Sequence, residues 1–273
     1  MELEFISRIE PSSGCTLSLD EKSGLDIAVL QRRQEEIFST KLYFWGKIMG
    51  EEEDYLVAYA LVPSEDVPTK KFYYCTGKDY TLRQLPVLSE EYTTMAKSIK
   101  GRFKGDPSVP LDGGEEDEDE DPESGIQKER FREIHRLTYT VQMIDRDVAV
   151  VPRGAFLMEA SHKISKNRNY EGLSYEAAGD LRNYFHFRRP ESVHALAALK
   201  RPGIIKAAEF LDPIATDKPD GIWSLTYDAS HTGVNLRSFY WPGYFFFHKI
   251  GTIEYGGVYF GDGLANEDLA FML

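Results

Sequence analysis

Ser174, Asp180 and His186 are the residue types that build a nucleophile, an orienting carboxylate and a base, which together would do acyl-transfer chemistry. Ser174 lies in no Gly-x-Ser-x-Gly elbow, however, and a serine ahead of a helical stretch is accounted for as an N-cap. Gly77-Lys78-Asp79 has the Gly-Lys of a phosphate loop. It lacks the upstream glycine and the following hydroxyl that would hold magnesium, so it reads as a turn. The six histidines, at 135, 162, 186, 194, 231 and 248, form no His-x-x-x-His pair, and the two cysteines form no Cys-x-x-Cys, so neither a metal site nor a cofactor is expected. Asp262-Gly263 lacks the alternating acidic ligands of a calcium loop. Arg102 and Lys104 flank Phe103, which reads as a loop that buries the ring and leaves its cations in water.

The densest chemistry is acidic. Glu115, Glu116, Asp117, Glu118, Asp119, Glu120 and Asp121 are consecutive carboxylates that could share protons or hold a cation. Acid–base work needs a fixed, desolvated geometry, and no apolar residue in this stretch offers an anchor. The seven are expected to act as a solvated electrostatic contact surface, and no catalytic constellation is expected in the chain.

The elements around these residues read as α+β, mainly antiparallel sheet. Ser18-Leu19-Asp20-Glu21 is a capping-box pattern that opens one or two helices over 16–38, interrupted near Gly24. Leu42–Gly46, Tyr55–Leu61 and Lys71–Thr76 read as strands of a meander, the first two joined by an acidic turn at 51–54. Residues 105–127, with Pro107, Gly113-Gly114 and Pro122, read as a disordered acidic insertion between a part at 1–104 and a β-rich part at 128–273 of one body. Beyond it, 136–143 and 147–151 read as short strands, and Ser174 caps a helix near 175–186 that Pro190 stops. Trp223–Tyr227, Val234–Leu236, Tyr244–Phe247 and Val258–Phe260 read as a hairpin-rich sheet. The run Tyr244-Phe245-Phe246-Phe247 must point to both faces, so both faces need cover.

Composition narrows the class. The 273 residues carry 45 Asp and Glu against 32 Lys and Arg, a net charge of −13. Nine of the acids lie between 112 and 123, so the remainder is an ordinary near-neutral body. Nucleic acid and anionic lipid are therefore disfavoured as partners. Forty-two per cent hydrophobic residues rule out global disorder, and no run approaches the roughly 18 apolar residues of a membrane span. The start, Met1 to Phe5, has no basic, apolar leader pattern, and Cys15 and Cys75 suit a reducing compartment. Aromatic density marks Phe44, Trp45, Tyr55, Trp223, Trp241, Phe245 and Phe247 as packing or interface residues.

Several ungapped strings together resemble the radial spoke head protein 9 family of motile cilia and flagella. They are Leu42-Tyr43-Phe44-Trp45-Gly46-Lys47-Ile48-Met49-Gly50 with Asp54-Tyr55, Lys100-Gly101-Arg102-Phe103-Lys104-Gly105-Asp106-Pro107-Ser108, and Val151-Pro152-Arg153-Gly154-Ala155. Further along they continue through Glu171–Ser174, Tyr184–Arg188, Gly221–Ser224, Leu236–Ser238, Trp241-Pro242-Gly243 and Phe271-Met272-Leu273. The Phe-Trp-Gly-Lys-Ile element is also similar to the related radial spoke head proteins 4 and 6. The resemblance implies a non-enzymatic scaffold subunit of the axonemal spoke head. Its partners would be proteins 4 and 6, with transient contact to central-pair projections and signal relay to the dynein arms.

Overall fold

Strict alternation of apolar side chains to two faces builds the centre of the molecule. In the computed structural model, which describes residues 3, 6–35, 41–64, 66–111, 130–159, 161–201 and 210–272, eight strands form one sheet. Its strands are β1 (Leu42–Ile48), β2 (Tyr55–Val62), β3 (Thr69–Thr76), β4 (Arg83–Gln84), β9 (Trp223–Tyr227), β10 (Gly233–Ser238), β11 (Tyr244–Lys249) and β12 (Tyr255–Gly261). They are ordered β4-β3-β2-β1-β12-β11-β10-β9. Neighbours run antiparallel except β1 and β12, which pair in parallel and so join the N-terminal meander to the C-terminal one. The elements between are β5 (Val150–Pro152), β6 (Phe156–Met158), β7 (Ile164–Lys166) and β8 (Tyr184–His186), which make two small two-stranded sheets, β5 with β8 and β6 with β7.

Both faces of the large sheet are covered. Along β2, Tyr55, Val57 and Tyr59 face one cluster while Leu56, Ala58 and Ala60 face the other. In β11, Tyr244 and Phe246 face the first cluster and Phe245 and Phe247 the second, the two-sided disposition the aromatic run requires. The second face is closed by α1 (Ile6–Ser13) and α2 (Leu19–Glu35) through Ile6, Ile9, Leu25 and Ala28. On the first face lies α4 (Glu133–Val148), whose Leu137, Val141, Ile144 and Val148 form one buried stripe. Each such side chain contributes about 1.5–3 kcal/mol by leaving water. A third cluster, with Phe156, Phe185, Phe187 and Phe210, fills the lobe of the small sheets. The remaining helices are α3 (Glu90–Ser98), α5 (Tyr175–Ala178), α6 (Val193–Leu199) and α7 (Leu269–Met272).

Three expectations are corrected. Residues 136–143 form helix, not strand: the β-branched run Thr138, Thr140, Val141 suggests extension, but the spacing of Leu137, Val141, Ile144 and Val148 matches a helix face, and burial of that face prevails over propensity. Thr138 accommodates the helix by donating its hydroxyl to Ile134 O, 2.8 Å. No break occurs at Gly24, where α2 runs through without interruption. The glycine is there for contact, since a Cβ would lie 2.5 Å from the Tyr80 ring. The helix near 175–186 is a single turn, α5, followed by a 3-10 turn at Leu181–Asn183 and then β8. It stops at Gly179, where a Cβ would lie 2.1 Å from the Tyr227 hydroxyl, and Asp180 restarts the chain by accepting from Arg182 N–H.

The capping box holds as read. Ser18 N–H donates to Glu21 Oε2 (2.8 Å) and Glu21 N–H to Ser18 Oγ (3.1 Å). Ser174 Oγ caps α5, accepting from Ala177 N–H at 3.3 Å.

Candidate interaction surface

The nucleophile set is not assembled. Ser174 is spent on its cap and Asp180 on Arg182. His186 is buried, with Nε2 2.9 Å from Asp217 Oδ2, and the same oxygen accepts from Trp223 Nε1 at 2.8 Å. Lys78 pairs with Glu53 at 2.7 Å, and Asp79 accepts from Thr81 N–H, so Gly77–Asp79 is a turn. Asp262 accepts from Leu264 N–H in the loop after β12. Among the described residues, no group of three or more His, Cys, Asp or Glu side chains is placed to hold a metal ion.

Glu115 to Asp121 lie outside the described residues, but the chain on either side is described. Leu111 N–H donates to Phe131 O (3.0 Å), Glu133 N–H donates to Val109 O (2.9 Å), and Pro110 bridges Arg132. The acidic stretch therefore leaves and returns at one place. Just before it, Gly101–Gly105 straps β1 to α4. Gly50 bridges Phe103, Glu51 N–H donates to Phe103 O, and the buried Glu133 carboxylate accepts from Tyr55 OH (2.7 Å), Gly105 N–H (2.8 Å) and Lys104 N–H (2.9 Å). The Arg136 guanidinium stacks 4.2 Å over the Phe103 ring and donates to Gly101 O and Arg102 O. Phe103 is buried and Arg102 and Lys104 are exposed, as the sequence indicates.

The seven marked aromatics sit inside the chain. Phe44, Trp45, Tyr55, Trp223, Trp241 and Phe247 are buried, and Phe245 is half-buried beneath the Arg237 guanidinium. Each of the three tryptophans donates its indole N–H to an aspartate: Trp45 to Asp145 (3.0 Å), Trp241 to Asp147 (2.9 Å) and Trp223 to Asp217 (2.8 Å). Two of these acceptors are in the last turn of α4, so one helix end holds both halves of the sheet. Burial pushes the Asp147 carboxyl above its ordinary range, opposed by the indole N–H. Trp45 faces α4 by alternation with Phe44, a β-bulge follows between Phe44 and Gly46, and Gly46 admits the close approach of β12, where a Cβ would meet Tyr259 O at 2.3 Å.

A cavity of about 310 Å³ missed by the sequence reading opens beside this lock, lined by Tyr43, Tyr59, Lys70, Asp145, Phe187 and Tyr255 among others. Within it Lys70 pairs with Asp145 at 2.5 Å and lies 5.0 Å from the Tyr59 ring centre. The residues are far apart in sequence, and only the fold of α4 onto β3 unites them. Of the large apolar side chains left in water, Ile253 lines this cavity and others lie elsewhere. Leu19, Ile27 and Leu30 line the outer side of α2, and Phe271 (90% exposed) and Met272 lie in α7.

No protein-family profile matches the chain. It is 37% identical to Radial spoke head protein 9 homolog of Danio rerio, over 99% of this chain and 98% of that protein. It is 34% identical to the proteins of the same name from Bos taurus and Homo sapiens, over 96% of this chain and 95% of theirs. Identity of this order along essentially the whole length shows that the chain belongs to the radial spoke head protein 9 family.

Proposed function

We propose that the protein is a structural, non-enzymatic subunit of the axonemal radial spoke head in cilia and flagella, and that it packs against radial spoke head proteins 4 and 6. The observation that carries this reading is the end-to-end similarity to proteins of that name. It is supported by the use made of the polar groups: Ser174, Asp180, Glu133, Asp145 and Asp217 are engaged in caps, straps and indole locks that stiffen the body. Permanent contacts fall to the exposed apolar side chains of α2 and α7, because the marked aromatics are already buried within the chain. Glu115 to Asp121 supply a long-range, salt-screened contact to central-pair projections, suited to engaging and releasing on each beat, and through it the head relays their state towards the dynein arms.

Tagging the endogenous protein and purifying it from salt-extracted axonemes tests the reading. Recovery with radial spoke head proteins 4 and 6 is expected. A soluble monomer absent from axonemes would overturn it. A variant with 115–121 neutralised is expected to enter the spoke head and to alter only the central-pair contact.

A further inference from the structure

The two edges of the large sheet are treated differently. At one edge β4 is two residues long, carries Arg83 paired to Asp79, and is followed by Pro86, a combination that blunts strand addition. The other edge, β9, is Trp223-Ser224-Leu225-Thr226-Tyr227, five residues with no charge, proline or glycine. Phe239 N–H donates to Ile222 O and Asp228 N–H to Gly233 O, both at 2.9 Å, which sets the phase of the β9–β10 ladder. The even-numbered residues bond to β10, so Trp223, Leu225 and Tyr227 aim their backbone N–H and C=O groups outward. Among the described residues none of these outward groups has a backbone partner.

We propose that β9 pairs with β9 of a second copy of this chain, antiparallel about a two-fold axis at Leu225. In that register Leu225 faces Leu225 of the other copy, and Trp223 and Tyr227 face each other across the axis. All the outward donors and acceptors are then paired. On the polar face Ser224 stands opposite Thr226 of the other copy, a favourable hydroxyl pairing. Thr226 is exposed and Ser224 half-buried, so that face is open to a second strand. Charge on the strand itself does not forbid the pair, since β9 carries none. A β9 pair needs nothing from the spoke-head assignment, and either can fail alone.

Sedimentation equilibrium of the full chain from about 1 to 200 μM spans the dissociation constants expected for a contact at the small end of interface sizes. The mass is expected to rise towards twice the monomer. Ser224→Lys/Thr226→Lys and Ser224→Glu/Thr226→Glu, each confirmed folded by circular dichroism, are each expected to stay monomeric, and an equimolar mixture of the two to regain the dimer. As a check free of substitutions, the Trp223, Leu225 and Tyr227 amides are expected to exchange more slowly as concentration rises. A wild-type chain monomeric throughout, or a dimer indifferent to both charge variants, overturns the proposal. So does a monomer whose β9 amides are protected only by an added uncharged extended peptide.

Discussion

Glu133 is fully buried and accepts from a phenol and two backbone amides, and its bonds from Tyr55 and Gly105 are buried with it. Glu133→Ala strands all three and is expected to cost about 3–5 kcal/mol, measured by urea unfolding. Added to Tyr55→Phe, it is expected to cost less than the sum of the two single changes, because the Tyr55 hydroxyl bonds to Glu133. His248 is also fully buried, its Nε2 3.2 Å from the Tyr170 hydroxyl, and burial lowers its pKa to about 4. The unfolded imidazole takes a proton near pH 6.5 and the folded one only near 4. The stability it supports is therefore complete above pH 6.5 and is lost as pH falls to 4, by about 3 kcal/mol. Melting temperature against pH, compared with His248→Gln, checks this: the variant is expected to show a shallower acid slope between 6.5 and 4. Cys75, buried and with its thiol pushed up to about 12, is expected to resist alkylation in the native state.

At the scale of elements, α2 carries glycine in mid-helix for the sake of a neighbour. Gly24→Ala gains about 1 kcal/mol of helix propensity but drives a methyl into the Tyr80 ring, and overpacking of this kind costs about 1–3 kcal/mol. A net loss of stability is expected, turning to a gain in the Tyr80→Ala background; thermal unfolding of the four variants reads the sign. The strap and its bridge yield a second expectation. Because Pro110 and Arg132 already pair, residues 113–128 span a closed gap, and replacing them with a short Gly-Ser linker is expected to shift the melting temperature by no more than a few degrees. A loss of folding would show that the acidic segment contributes to the core.

Across the whole molecule, the parallel β1–β12 seam and the two indole locks on α4 tie the N-terminal and C-terminal meanders into one structure. Unfolding followed by far-UV circular dichroism and by tryptophan fluorescence is expected to give coincident transitions, since each tryptophan is bonded to an aspartate outside its own element. Separate transitions would mean that the halves unfold independently.

Local signals were enough for the strands of both meanders except the two-residue β4, and for the Ser18 capping box and the Ser174 cap, because period-2 alternation and cap chemistry involve residues close in sequence. The same holds for the family, which is written in ungapped strings along the chain. What only the tertiary structure decided depends on distant partners. α4 is helical because its stripe is buried beneath the sheet, although its threonines favour extension. Gly24 permits contact instead of a break because Tyr80 arrives from beyond β3. The marked aromatics are interior because α1, α2 and α4 close over both faces. The Lys70–Asp145 pair and the bare β9 edge depend on which elements become neighbours. That choice is made by the summed burial of the whole chain, and no local window contains it.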